Sequence, residues 1–417
     1  MSSKRTAASP ASPRIKFTTA DSKTKRKPIR SCLSTILLGS ICFGVGIAAE
    51  NHAVTQVPEG ISLPTKLRVQ DAAGWWPTKG AAAKEQFVGS AACTRCHAEK
   101  SASYARTAMA HAAVSAEDSQ IARAHDALHL QAGPFNYELQ STPGKNILEV
   151  SDAKGSVSQL LSWSFGVGRM GQTYLYEQDG NYYEAHVSYY SAVQALDITP
   201  GQSRSTAGTL ESAAGRRMST DETELCFGCH TTGSMLKGQF DPGSISLGVT
   251  CEACHGPGAS HVAAETMGTA QPGNRLIFNP AGLDRVASVD FCGACHRTWE
   301  DVLTLNPGLG IFNVRFAPYR LENSECWKKG DGRITCLACH DPHQTLSHDT
   351  SSYDSACLRC HSRLPPKQSA SKKVAICRVA TKDCVTCHMP KYEPPGLHTS
   401  FTDHWIRVVR AKKPYPE

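Results

Sequence analysis

The chain has 417 residues, with 44 Lys and Arg against 37 Asp and Glu, and a formal net charge of +7. The excess sits at the start. Residues 1–30 hold nine basic residues and one Asp, so a leader of +8 leaves residues 50–417 at about −1. An acidic working body excludes nucleic acid as the expected partner.

Residues 1–49 read as a basic leader and an apolar export signal. The run Lys23 to Arg30 is followed by Ser31 to Ala49, which is small and apolar and ends in Ala48-Ala49. That order of positive region, apolar region and small-residue end is a secretory signal. Its 19 residues also suffice for a retained anchor in the inner membrane. The expectation is an exported protein, periplasmic or at the outer cell surface, with the leader cleaved near Ala49 or kept as an anchor. Residues 50–130 form an N-terminal arm and a first motif segment, with Ser90 to Ala113 predicted helical from its Ala-rich composition. Residues 131–225 form a β-rich insert. Its strands fall at Asn136–Gln140, Ile147–Val150, Thr173–Glu177 and Tyr182–Ser188, with a hairpin turn at Gln178-Asp179-Gly180-Asn181. Its aromatic residues are expected to make its own core. Residues 226–417 are dense in motifs and poor in long apolar runs.

Cys-x-x-Cys-His occurs seven times: Cys93-Cys96-His97, Cys226-Cys229-His230, Cys251-Cys254-His255, Cys292-Cys295-His296, Cys336-Cys339-His340, Cys357-Cys360-His361 and Cys384-Cys387-His388. The copies use 14 of 18 cysteines. This is the attachment signature of c-type haem: two thiols add to the two vinyl groups of one porphyrin, and the adjoining histidine is an axial ligand. Zinc knuckles also use Cys pairs, but take ligands from two separate pairs and need no histidine after each one. A disulfide framework would not repeat one local unit seven times. The expected cofactors are seven covalently bound haems c. Successive first cysteines are 133, 25, 41, 44, 21 and 27 residues apart, so one haem stands apart from a module of six. Haems would then fill much of the interior. The expected fold is mainly α with irregular loops, packed around haem, with a small antiparallel β insert between the first and second motifs.

Ten histidines lie outside the motifs, enough for bis-histidine ligation throughout. His261, His343, His398 and His404 are the favoured second ligands. His343 and His261 follow His340 and His255 too closely to reach round the same haem, so they would ligate a different one. Cys326 and Cys377 belong to no motif, and pairing as a disulfide or remaining as two thiols are both open.

The stretches Val88 to Cys93, Cys251 to Gly258 with His261, Cys339-His340-Asp341-Pro342-His343, and Cys387 to Lys391 with His398 and Phe401 to His404 resemble multihaem cytochromes of the cytochrome c-552/4 type, relatives of multihaem nitrogen and sulfur oxidoreductases. The likeness covers roughly residues 86–114 and 226–410. It implies that His261 and His343 are distal ligands. It departs after the first haem, where Met109 stands at the position of an expected histidine and His111 follows. Either could ligate, and methionine would raise the potential.

The reading is an exported heptahaem electron carrier working with redox protein partners, quinol-linked or soluble cytochromes. The alternative is an oxidoreductase acting on a small nitrogen or sulfur oxyanion at one five-coordinate haem, with Arg315, Tyr319, Arg320 or His186 as donors. Related scaffolds host both.

Overall fold

The computed structural model describes residues 75–409, apart from 79, 82, 205–206, 237–238, 306–309, 330–331, 362–376 and 378. The leader, and with it the anchor expected over residues 31–49, lies outside the described residues. Among those described, no helix is long and apolar enough to cross a membrane.

Ten strands occupy the region before the second motif: β1 Ala113–Ser115, β2 Ala127–Ala132, β3 Phe135–Thr142, β4 Lys145–Ser151, β5 Ser156–Leu160, β6 Trp163–Gly168, β7 Gly171–Gln178, β8 Asn181–Tyr190, β9 Ala195–Ile198 and β10 Gly215–Arg217. They form two antiparallel sheets. One is β2-β3-β4-β5; the other is β1-β6-β7-β8-β10, with β9 also paired to β8. Alternation builds the first sheet, since Phe135, Tyr137 and Leu139 of β3 are buried while Asn136 is exposed. The core collects Tyr137, Leu139, Leu148, Val150, Tyr174, Tyr176 and Val187 from both sheets. The tyrosines are core residues, and burial pushes the Tyr174 phenol far above its ordinary range. Asp179 and Gly180 both take positive φ, 51° and 71°, as the two-residue turn between β7 and β8 requires.

This corrects the expectation of a mainly α protein with a small insert. The two sheets dominate residues 113–217, and two-residue strand pairs recur beyond them, at Thr231–Thr232 with Ser246–Leu247 and at Lys391–Tyr392 with Phe401–Thr402. The helices are short by comparison. Ser90–Thr94, Cys251–His255 and Cys384–His388 have five residues each, and Arg285–His296 has 12. Cys251–His255 and Cys384–His388 each coincide with one motif, whereas Ser90–Thr94 ends before Cys96 and His97. The helix expected across Ser90–Ala113 breaks at the first motif and ends at Tyr104. Ala113 pairs with Phe165 in β1–β6 instead, because a sheet partner outweighs a few tenths of a kcal/mol of helix propensity.

The sheet is tied to the C-terminal segment through Asp197 on β9. Its carboxylate accepts a hydrogen bond from Arg204 and one of 2.6 Å from His398 Nε2. Burial pushes the Asp197 carboxyl up, but the hydrogen bonds from Arg204 and His398 outweigh it and hold the group below the usual carboxylate range. A lowered carboxyl contributes stability above its unfolded pKa and loses it as pH falls through the folded value. Asp197→Asn is therefore expected to lower the melting temperature by a few degrees at neutral pH. That deficit should shrink below about pH 4. Equal deficits in both ranges, followed by thermal unfolding, would count against the linkage.

Candidate functional site

One continuous cavity of about 3840 Å3 takes lining residues from all seven Cys-x-x-Cys-His motifs. It is several times the ~300–1,000 Å3 of a pocket for one small molecule. His296 lies deep in the protein yet keeps accessible surface, because it faces this cavity.

Thiols of different motifs are brought together. Cys93 and Cys251, Cys229 and Cys295, Cys292 and Cys336, and Cys357 and Cys384 are near enough to act on each other's thiols. The first motif therefore adjoins the third, the second and fifth both adjoin the fourth, and the sixth adjoins the seventh. Burial pushes the thiols of Cys226 and Cys254 up to about 12. Such a site disfavours the thiolate that zinc requires, and suits a thiol that ends as a neutral thioether.

The imidazoles carry the sharper geometry. His97 and His261 have ring centres 6.5 Å apart and planes 18° apart. His255 and His343 are separated by 6.1 Å and 15°, and His340 and His404 by 6.3 Å and 44°. An imidazole nitrogen lies about 2.0–2.1 Å from a bound metal and about 1.1 Å from its own ring centre, so two imidazoles on opposite faces of one ion have centres roughly 6.3 Å apart. All three pairs match that separation. In each, a motif histidine meets a non-motif histidine that follows another motif or lies near the C-terminus.

Hydrogen bonds fix which nitrogen remains for an iron. Nδ1 of His230, His255 and His388 donates to the carbonyls of Ala112, Phe278 and Arg407, each at 2.9 Å. His261 donates likewise to Arg275 O at 2.7 Å and His404 to Thr402 O at 3.0 Å, while His343 uses Asp341 Oδ1 at 3.1 Å. Each bond leaves Nε2 for a metal and orients the ring.

The other sequence candidates fall elsewhere. His398, expected as a ligand, spends its Nε2 on Asp197 and packs edge-on against Tyr190, 4.9 Å between centres. Met109 and His111 both line the cavity, but His111 Nε2 is engaged with Ala105 O at 2.8 Å. His186 stacks on Tyr137 and bonds Gln202 within the sheet core. Tyr319 packs on Trp299. Arg320, fully buried, forms a two-pronged pair with Asp403 at 2.8 and 2.9 Å. Of the suggested donors only Arg315 reaches the cavity. Cys326 and Cys377 both line it.

Two carboxylates were missed in the sequence because they sit at or near a motif without belonging to its signature. Glu252, 2% exposed, accepts from the amides of Val88 (2.9 Å), Gly89 (2.8 Å) and Gly258 (2.8 Å). It thereby joins the approach to the first motif to the turn that leads to His261. Gly256 in that turn has φ 76° and ψ 177°, and a Cβ there would come within 2.9 Å of Trp75. Asp354 accepts from the amides of Asp383 (2.7 Å) and Cys384 (2.9 Å), joining the sixth motif to the seventh. Glu252→Gln is expected to cost about 3 kcal/mol, since an amide offers one acceptor oxygen where three donors converge. Unchanged thermal unfolding would refute this.

A family model described as cytochrome c554 and c-prime matches residues 182–256, from β8 through the second and third motifs. Among solved structures the chain is similar to one titled "Crystal Structure of Outer Cell Wall Cytochrome OcwA". The identity is 17% and the TM-score 0.29, with 51% of this chain and 37% of that one covered. The chain thus spans little more than a third of that protein's length. No curated protein matches it.

Paired thiols, oriented imidazoles and a shared cavity fit haem, and together with the family match they support a multihaem c-type cytochrome. The family match supports a haem-based electron carrier with covalently bound haem c.

Proposed function

We propose that the protein is an exported carrier that holds seven haems c, one on each motif, and passes electrons between redox proteins on either side. The observation that carries this reading is the set of three imidazole pairs at 6.1–6.5 Å. On this reading His97 and His261 hold the first haem, His255 and His343 the third, and His340 and His404 the fifth. Each bound haem supplies a one-electron iron couple whose potential follows from ligand identity, burial and nearby charge. Because a distal ligand comes from a segment beyond another motif, ligation itself would fix the spacing between neighbouring haems.

Export rests on the basic leader and apolar segment at residues 1–49, and on the completion of c-type haem outside the cytoplasm. The partners fitting this role are quinol-linked or soluble cytochromes. The arm at 50–130, the insert at 131–225 and the hexahaem module at 226–417 remain the proposed division of the chain.

The test is the iron-to-protein ratio of the mature protein together with low-temperature EPR and carbon monoxide binding. The expected ratio is near seven, with low-spin signals for the three paired haems. A ratio of three or four would refute the count. A high-spin haem that takes carbon monoxide would move the reading towards an oxidoreductase for nitrogen or sulfur oxyanions.

A further inference from the structure

Among the described residues, two arginines face the cavity with no ion pair. Arg297 follows His296 directly, and Arg315 closes the turn Gly310–Arg315. Both line the cavity beside the fourth motif. Elsewhere the buried Arg320 and half-buried Arg407 share Asp403, and the half-buried Arg285 donates to the Trp327 carbonyl and lies over its ring. Among the described residues Arg297 and Arg315 have neither an ion pair nor a hydrogen bond, and Arg315 rests only over the Phe316 ring at 4.9 Å. Asp301, on the helix that follows, is turned to the Thr298 amide at 3.0 Å.

The backbone supports this placement. Arg297 has φ 67°, a region that side chains other than glycine rarely adopt. The residue after it, Thr298, is fully buried, and Gly293 lies so close that a Cβ there would stand 2.6 Å from the Thr298 methyl. The chain is held in an unfavourable conformation that leaves this guanidinium in the cavity wall, as strained residues at functional sites commonly are. Guanidinium groups do not lose their protons in proteins. Burial, and then the charge of Arg297, both push Arg315 below its usual range. Two like charges in a protein-enclosed space are unfavourable without an anion between them.

We propose that Arg297 and Arg315 form an anion clamp that binds a carboxylate or a similar planar oxyanion beside the haem of the fourth motif. The fork of each guanidinium matches two oxygens at once. The anion has two sources with this chemistry: a propionate of an attached haem, or a small free oxyanion such as nitrite or sulfite. The inference rests on the haem reading above, which the wild-type iron-to-protein ratio tests by itself.

The experiment compares wild-type holoprotein with Arg315→Gln and Arg315→Lys by haem content and by spectroelectrochemical titration, with and without nitrite or sulfite. Loss of a positive charge beside an iron favours its ferric form, so one redox wave in the Gln variant should move to lower potential and the Lys variant should recover most of that shift. With a propionate in the clamp, the shift appears in anion-free buffer and added oxyanion moves nothing. With a free oxyanion, a wild-type wave moves saturably as the anion is added, and the Gln variant loses the response. Haem loss in Gln but not in Lys also supports the clamp. Equal haem loss in both, or a Gln variant that titrates as wild type with no wild-type anion response, overturns it.

Discussion

Asp403→Ala is expected to destabilise the protein by roughly 3–5 kcal/mol, the cost of leaving a buried charge without its partner. Asp403 has no accessible surface. It accepts from Arg320 Nε at 2.8 Å and Nη2 at 2.9 Å, from Arg407 at 2.6 Å and from the Trp405 amide at 3.0 Å. Trp405 is flanked by both guanidiniums, Arg320 at 4.9 Å and Arg407 at 5.1 Å from its ring centre. His404 lies between these two residues, so the clamp that holds the segment also sets the imidazole facing His340. Loss of Asp403 should therefore lower the melting temperature and also convert one low-spin haem to high spin.

The acid arm follows from the same group. Burial pushes the Asp403 carboxyl up, but the hydrogen bonds and charge of Arg320 outweigh it and hold the group below the usual range. Its stabilisation is present above the ordinary carboxylate pKa and fades as pH falls through the lowered value. Asp403→Asn should thus lose most stability near neutrality and approach wild type in acid. A melting deficit without any change in EPR would leave Asp403 as a structural staple alone, with no part in placing His404.

His343→Ala should produce the largest spectroscopic change. His343 faces His255 at 6.1 Å, with its own Nδ1 on Asp341. Without it a haem on the third motif would be held by His255 alone. One low-spin EPR signal should vanish, one high-spin signal should appear, and the reduced protein should gain one carbon monoxide site. His398→Ala is the internal contrast. That histidine ends on Asp197, so its loss should weaken the joint between sheet and C-terminal segment and leave every spin state unchanged. Spin conversion in His398→Ala, or none in His343→Ala, would overturn the ligand assignment.

How far the site was legible follows from the range of the interactions. Haem attachment needs two thiols and an imidazole within five residues, and such a signal survives in the sequence whatever the fold does around it. The hairpin at Asp179-Gly180 was legible for the same reason, since its positive φ values depend on two residues alone. The short reach from His255 to His261 and from His340 to His343 was also local, whereas the facing of His261 to His97 and of His343 to His255 belongs to the fold.

The mainly α expectation failed where local preference met distant partners. Ala113 belongs to an Ala-rich stretch, yet its place is set by Phe165 across the β1–β6 ladder. His398 and His404 look alike in the sequence. Only the tertiary structure sends one to Asp197 and the other to His340. Glu252 gave no signal because its role depends on amides of Val88 and Gly89, which are far away in the chain. The sequence by itself determined the cofactor chemistry and the motif histidines, because covalent attachment is written in adjacent residues. The tertiary structure decided which imidazoles meet, which carboxylates hold them and where uncompensated charge faces the cavity, because those depend on contacts between residues that only folding brings together.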